Sequence, residues 1–254
     1  MDRTFPALDW RAVAAHRSGS RIGSAVLYVP EVDSTSVAAA ARLPSCAEGT
    51  VVVADYQTAG HGRLGRSWIA APGSSLLFTV VLEGQEPRWA VPMSAGLAIM
   101  DALSLSGVAA RLKWPNDVLI AGRKCAGILI EGRMAGGTQW LLLGIGLNVR
   151  SADPSLPLAT FVDAHTPEPV AREDLFVRLL ARLEWWLDRA KADPAGVRDA
   201  WAANLATLGE QIAVTTSSGT IRGVAVDIAE DGGLIVRLAG GSRTVVRAGD
   251  VTHR

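Results

Sequence analysis

Short blocks of apolar residues, many of them β-branched, punctuate the first 150 residues, and a helical spacing replaces them near residue 174. Residues 1–23 read as an arm in which Asp9 to Ala15 has room for a turn or two of helix. Ala25 to Val29 is a strand candidate with Pro30 near its end. Asp33-Ser34-Thr35 then offers N-cap chemistry for the Ala-rich run Val37 to Ala41. Thr50 to Ala54 and Leu76 to Leu82 have the length and content of buried strands. Residues 89–106 have the apolar content and length of a helix. Lys113 to Ile120, Cys125 to Glu131 and Trp140 to Val149 read as further strands, and Pro154, Pro157, Pro167 and Pro169 mark an irregular connection. Asp174 to Ala190 places Leu175, Leu179, Leu183 and Trp186 at helical spacing, and Ala195 to Ala206 follows as a second helix.

The pattern changes after Gly209. Ile212 to Val214, Thr220 to Ile228, Leu234 to Leu238 and Thr244 to Val246 are short strands. Ser217-Ser218-Gly219, Asp231-Gly232-Gly233 and Gly240-Gly241 are the turn signals between them. Closely spaced strands of this kind predict a small β-barrel. The expected organisation is therefore an arm over 1–23, a large α+β unit over 24–207 and a barrel over 208–254.

The 254 residues are 49% hydrophobic, enough for a sizeable core. With 25 basic and 25 acidic residues, nothing supports a general electrostatic grip on nucleic acid, so any anion must be held by a local cluster. The start, Met1 to Pro6, lacks an apolar signal core, and no apolar run approaches the length of a membrane span. Cys46 and Cys125 are far apart and lack metal-ligand spacing, which suits a reducing cytoplasm. His16, His61, His165 and His253 are scattered and form no metal pattern.

Candidate chemistry concentrates in two stretches. The first is Gly60-His61-Gly62-Arg63-Leu64-Gly65-Arg66-Ser67-Trp68. Its glycines satisfy the dinucleotide-binding G-x-G-x-x-G spacing, but Pro72-Gly73 and the next strand leave no room for the helix that fold needs. A P-loop reading fails similarly: Arg66 stands where Lys is required, and no helix follows. What remains is local anion capture, with exposed backbone N–H groups, two guanidinium forks at Arg63 and Arg66, and a flat stacking surface at Trp68. A surface hairpin with solvated arginines fits the same residues. Glycines and like-charged arginines without internal contacts also predict that 60–68 is mobile until a ligand binds.

The second stretch is Lys113-Trp114-Pro115-Asn116-Asp117, where a lysine ends a strand-like run and a rigid turn follows. Alone, Lys113 is also compatible with a strand end pointing to water. Together, Arg63, Arg66 and Lys113 could gather two mutually repelling anions, which is what joining a carboxylate to the α-phosphate of ATP requires. No G-x-S-x-G elbow and no Cys/His pair offers other nucleophilic chemistry. Cys125 reads as a core residue, and Trp114 as a core or surface-packing aromatic.

In chain order, five segments resemble those of the biotin–protein ligases. They are Asp33-Ser34-Thr35; Gln57 to Trp68, similar to Q-T-A-G-R-G-R-x-G-R-x-W; Lys113 to Asp117, similar to K-W-P-N-D; Gly122 to Glu131, similar to G-x-K-x-x-G-I-L-x-E; and Gly144-Ile145-Gly146-Leu147-Asn148-Val149. The resemblance implies an α+β catalytic domain, a mixed sheet flanked by helices and related to class II aminoacyl-tRNA synthetases, with a small SH3-like barrel after it. It implies formation of biotinoyl-AMP from biotin and ATP with Mg²⁺, then transfer of biotin to one lysine of a carrier domain in an acyl-CoA or pyruvate carboxylase.

By the same resemblance, Ser34, Thr35, Ser36 and Gln57 would hold the ureido ring and nearby parts of biotin. Gly60, His61, Gly62 and Arg63 would close over its tail, and Gly127 and Leu129 would line its floor. Arg66 would place the ATP phosphates, with Arg63 on the adenylate oxygens. Trp68 would pack on the adenine, and Asn148 would touch the adenine side. Lys113 and Arg63 would be catalytic, Lys113 bridging carboxylate and α-phosphate. Metal ligands stay unassigned.

His61 stands where the family has Arg, and Ser36 where it has Asn. An arm of 23 residues is too short for a DNA-binding helix-turn-helix, so the expectation is a monofunctional cytoplasmic ligase, monomeric or weakly dimeric, without nucleic-acid or membrane partners. The alternatives are a lipoate or octanoate ligase or transferase of the same superfamily, whose loop motifs differ, and a non-enzymatic biotin-sensing module.

Overall fold

A computed structural model describes residues 5–84, 88–150 and 159–253; Pro154 and Pro157 of the expected connection lie outside them. Helix α1 (Trp10–His16) precedes strand β1 (Val26–Val32), helix α2 (Thr35–Ala40), and strands β2 (Val51–Gln57) and β3 (Ser75–Glu83). Helix α3 (Ala90–Ser104) follows, then β4 (Arg111–Lys113), β5 (Asp117–Ile120), β6 (Arg123–Ala135) and β7 (Thr138–Asn148). Helices α4 (Arg172–Ala192) and α5 (Pro194–Ala203) complete the larger unit. Its seven-stranded mixed sheet has the order β1-β2-β3-β7-β6-β5-β4, with β1 and β2 parallel and the other pairings antiparallel. Pro30 is tolerated because β1 is an edge strand.

Alternation along the strands sorts side chains to two faces. Val51, Val53, Phe78, Val80, Leu141, Leu143 and Ile145 enter the main core under α3 and α4. Val52, Val81 and Leu142 point the other way, into a smaller cluster under α2. Helix α4 buries Leu175, Phe176, Leu179, Leu180, Leu183 and Leu187. Helix α3 is buried nearly all round, so its sequence shows little amphipathic contrast. A buried network ties the arm to this body. Arg172, 2% exposed, pairs with Asp55 at 2.9 Å and donates to the Pro6 carbonyl. Asp55 also accepts from Tyr28 Oη at 2.6 Å.

Several expected elements change shape. Lys113 to Ile120 is two strands, because Pro115 offers no N–H to a ladder and the chain turns through 114–116. Helix α2 begins at Thr35, two residues earlier than the Ala-rich run; Ser34 is its N-cap by position, but its hydroxyl makes no capping bond. Helix α5 stops at Ala203 because residues 204–206 pair with β4 instead: Leu112 N donates to Asn204 O, and Ala206 N to Leu112 O. β6 and β7 run longer than expected, joined by Gly136 and Gly137 at φ of 59° and 79°, the left-handed pair a tight hairpin requires.

The C-terminal unit holds β8 (Gln211–Thr216), β9 (Gly219–Ile228), β10 (Leu234–Arg237), β11 (Arg243–Val246) and β12 (Asp250–His253). They form an antiparallel sheet in the order β11-β10-β9-β8-β12, consistent with an SH3-like domain, although hydrogen bonding among the described residues does not close it into a ring. Trp114, 2% exposed, joins the units: its backbone N donates to Thr207 Oγ1 at 3.1 Å and its Nε1 to Gly232 O at 3.2 Å. It is a core residue, as expected. So is Cys125, fully buried, whose thiol burial pushes up to about 12.

Candidate active site

The sheet face on the α2 side is left open where β6 meets β7, because the residues there are glycines. Gly127 pairs with Gly146 and Leu129 with Gly144, so Leu129 is the one side chain at these four floor positions. A cavity of about 360 Å³ lies over it. The indole of Trp68 rests directly on this floor: a Cβ at Gly146 would lie 2.5 Å from its ring, and one at Gly127 2.8 Å. Only glycine at both positions lets the ring lie there. Trp68 Nε1 is buried with no hydrogen-bond partner, leaving a free donor at the cleft.

One wall is polar. Ser34, Thr35 and Ser36 lie at the start of α2, beside Gln57 at the end of β2, and all four line the cavity. Thr35 N donates to Gln57 Oε1 at 2.8 Å, Thr35 Oγ1 lies 2.9 Å from Thr79 Oγ1, and Ser36 Oγ lies 3.2 Å from the same hydroxyl. These bonds fix the rotamers of small donors and acceptors that face the cavity.

The glycine-rich loop forms the roof. It is tied down rather than free of contacts: Trp68 N donates to Gly60 O, Gly62 N to Arg66 O at 2.7 Å, and His61 bridges to Ser67. The expectation of a contact-free loop is therefore corrected. Its arginines are also held. Arg63 donates to Asn116 Oδ1 at 3.2 Å, and Arg66 pairs with Asp250 of β12. Burial pushes the Arg63 guanidinium below its ordinary pKa, against the pull of Asp250 and Asp117, and Arg66 pushes the same way as burial.

Arg63, Arg66 and Lys113 line one cavity although they come from separate segments. Lys113 pairs with Asp117 through the β4–β5 ladder, and its side chain makes no hydrogen bond or ion pair among the described residues. His61, Gly62, Trp68, Gly127 and Leu129 also line it. Gly60 and Asn148 do not. Gly60 lies against Gln57 and the Trp68 carbonyl at the loop base, where a Cβ would come within 2.8 Å of both. Asn148, 6% exposed, ends β7 on the sheet face that carries Gly144 and Gly146, and donates its amide to Thr160 O at 3.3 Å.

The structure adds residues that sequence patterning missed. Lys124 Nζ lies 2.7 Å from Asp117 Oδ1 and 5.4 Å over the Trp68 ring, and both charged residues line the cavity. Strict alternation from Gly127 would send Lys124 toward the core beside Ala126. Instead the β5–β6 register shifts so that Val118 faces Ala126 and Leu119 faces Lys124; Cys125 is the extra residue, and Lys124 turns to the site. Asn116 clamps the turn to β6, its Nδ2 donating to Ile128 O at 2.7 Å. Asp250, Val251 and Thr252 bring the C-terminal sheet to the rim. The run Asp-Val-Thr-His of β12 is too short and polar to signal a strand.

Residues 28–148 match the Biotin/lipoate A/B protein ligase family, and residues 207–254 match the Biotin protein ligase C terminal domain. Fold and site thus define an acyl-protein ligase catalytic domain with its companion. The chain is 34% identical to a biotin–acetyl-CoA-carboxylase ligase of Mycobacterium tuberculosis, over 99% of this chain and 98% of that one. It is 37% identical to the Paracoccus denitrificans enzyme of the same name, over 86% and 96%. Biotin protein ligase from Aquifex aeolicus, solved in complex with biotin and ATP, superimposes with a TM-score of 0.79 at 28% identity, covering 91% of this chain and 98% of that one. The chain belongs to the biotin protein ligase family.

Proposed function

We propose that this protein forms biotinoyl-AMP from biotin and ATP and then transfers biotin to a lysine of a biotin carboxyl carrier domain, that of acetyl-CoA carboxylase or a related acyl-CoA or pyruvate carboxylase. The observation that carries the reading is the convergence of Arg63, Arg66, Lys113 and Lys124, from three parts of the chain, on one cavity floored by glycines.

In the first step a biotin carboxylate oxygen bonds to the α-phosphorus of ATP, and the bond to pyrophosphate breaks. Both reactants are anions, and charge concentrates on the phosphorus oxygens. Lys113 and Lys124 would bring them together, and Arg63 and Arg66 would hold the phosphates. Ser34, Thr35, Ser36 and Gln57 suit a ureido group, which needs both donors and acceptors. Trp68 offers a face for adenine and Leu129 an apolar wall for the valeryl chain. In the second step the carrier lysine amine attacks the mixed-anhydride carbonyl, and AMP leaves. Gly60 and Asn148 support the site without lining it.

Among the described residues no group of three or more His, Cys, Asp or Glu side chains could hold a metal. The cavity carboxylates Asp117 and Asp250 already face Lys124 and Arg66. These residues do not make a protein cage, so Mg²⁺ would enter as part of the nucleotide substrate, held by its phosphates. We take 24–207 as the catalytic unit and 208–254 as a second unit that completes the rim. No helix among the described residues is long and apolar enough to cross a membrane, and two buried free thiols suit the cytoplasm.

The test is pyrophosphate exchange into ATP, with biotin, lipoate or octanoate as the acid. Exchange that needs biotin supports the reading. Exchange driven by lipoate or octanoate, or by none of the three, overturns it.

A further inference from the structure

The roof loop is tied to the body at three points, and their chemistry differs. Arg63 reaches Asn116, Arg66 reaches Asp250, and His61 Nε2 lies 3.6 Å from Glu131 Oε2 on β6. Glu131 is an unusual partner. Arg133 takes its Oε1 at 2.9 Å, while Oε2 is buried and has no hydrogen-bond partner. A buried carboxylate oxygen without a donor is costly, and the imidazole is the group facing it. Glu131 follows Gly127 and Leu129 on the site face of β6, and His61, which it faces, lines the cavity.

We propose that Glu131 is a positioning residue that holds the glycine-rich loop shut through His61, and that the strength of this tie sets how long the biotin adenylate is retained. The inference rests on the ligase reading above. Across 3.6 Å the imidazole offers Oε2 at most one weak contact, whereas a guanidinium at position 61 would bring a fork of donors to the same carboxylate.

A partly exposed contact of this kind supplies roughly a threefold effect on adenylate release. With arginine at 61, the residue usual in the family, the tie should strengthen.

The experiment measures dissociation of radiolabelled biotinoyl-AMP formed in situ on the full chain. Wild type, Glu131→Gln, His61→Arg and the double variant are compared, and thermal melting checks that each is folded. Release about threefold faster from Glu131→Gln, slower from His61→Arg, and no slower from the double variant than from Glu131→Gln supports the proposal. Equal release from all four proteins, or a His61→Arg effect that persists alongside Glu131→Gln, overturns the clasp while leaving the ligase reading intact. Failure of wild type to make any biotinoyl-AMP overturns the ligase reading itself, and the clasp with it.

Discussion

Lys124→Ala separates stability from chemistry. The side chain is 38% exposed, and its ion pair with Asp117 spans 2.7 Å. An exposed pair of this kind contributes about 1 kcal/mol or less to folding. Its ammonium lies 5.4 Å from the Trp68 ring centroid, a contact worth another ~0.5–1 kcal/mol at such a site. The variant should therefore lose at most about 2 kcal/mol of stability. Activity stands on another scale. Removing a donor aimed at charge that develops during reaction costs on the order of 10²–10³ in rate. The same substitution uncovers the Asp117 carboxylate. At about 4 Å and an effective dielectric of ~20, that charge would repel a phosphate by roughly 4 kcal/mol, and solvent in a cleft this open reduces the figure to a fraction. Biotin-dependent pyrophosphate exchange should thus fall by about 10²–10⁴, with the melting curve shifted by only a few degrees. Adding Asp117→Asn should recover about tenfold of the loss by removing the exposed anion. Lys113→Ala should also abolish adenylate formation, but Asp117→Asn should rescue it less, because the Asp117 carboxylate is turned to Lys124. Exchange by Lys124→Ala within about fivefold of wild type would refute the placement of this lysine at the reacting charge.

The C-terminal sheet should act on nucleotide rather than biotin: Asp250→Asn should change the KM for ATP, through Arg66, and leave the KM for biotin unchanged in steady-state exchange assays. Asp55→Ala strands Arg172 in the core and should cost about 3–5 kcal/mol in urea unfolding, while the site residues stay untouched. Burial raises the Cys125 thiol from 9.0 to about 12 and the Tyr28 phenol from 10.0 to about 12, so the folded state disfavours their ionised forms. Stability should hold below pH 9 and fall as pH rises toward 12, and Cys125→Ala should flatten the early part of that fall in denaturation midpoints. In native protein at pH 8 neither thiol should react quickly with iodoacetamide.

How far the fold was legible depended on which physical signal each element carried. β2, β3 and α4 announce themselves because burial on one or both sheet faces, or on one helical stripe, selects apolar residues at fixed spacing. β12 did not, because its contribution is backbone pairing with β8 and three residues at the cavity rim, and neither demands apolar side chains. The end of α5 was misplaced for a related reason. Residues 204–206 have helix-compatible side chains, and only the open backbone of β4 draws them out of the helix.

The site shows the same division in sharper form. Glycines, arginines and a tryptophan in one loop are legible as binding chemistry because each residue type is costly elsewhere. Lys124 was not, since its direction is set by a single extra residue in β6, and no local propensity encodes a register shift. The bulge has a consequence for the whole arrangement. It lets Cys125 and Ala126 both face the core, so the strand can keep Gly127, Leu129 and Glu131 on the cavity side while Lys124 joins them. Without it, strict pairing would place Lys124 in the apolar layer beneath α3 or send Gly127 there instead, and Trp68 would lose its floor. The glycine floor, the second lysine and the carboxylate that meets His61 are thus set by one backbone irregularity. Deleting Cys125 should therefore remove activity beyond any effect of losing a thiol. Cys125→Ala, which keeps the bulge, should retain exchange activity within a few-fold of wild type.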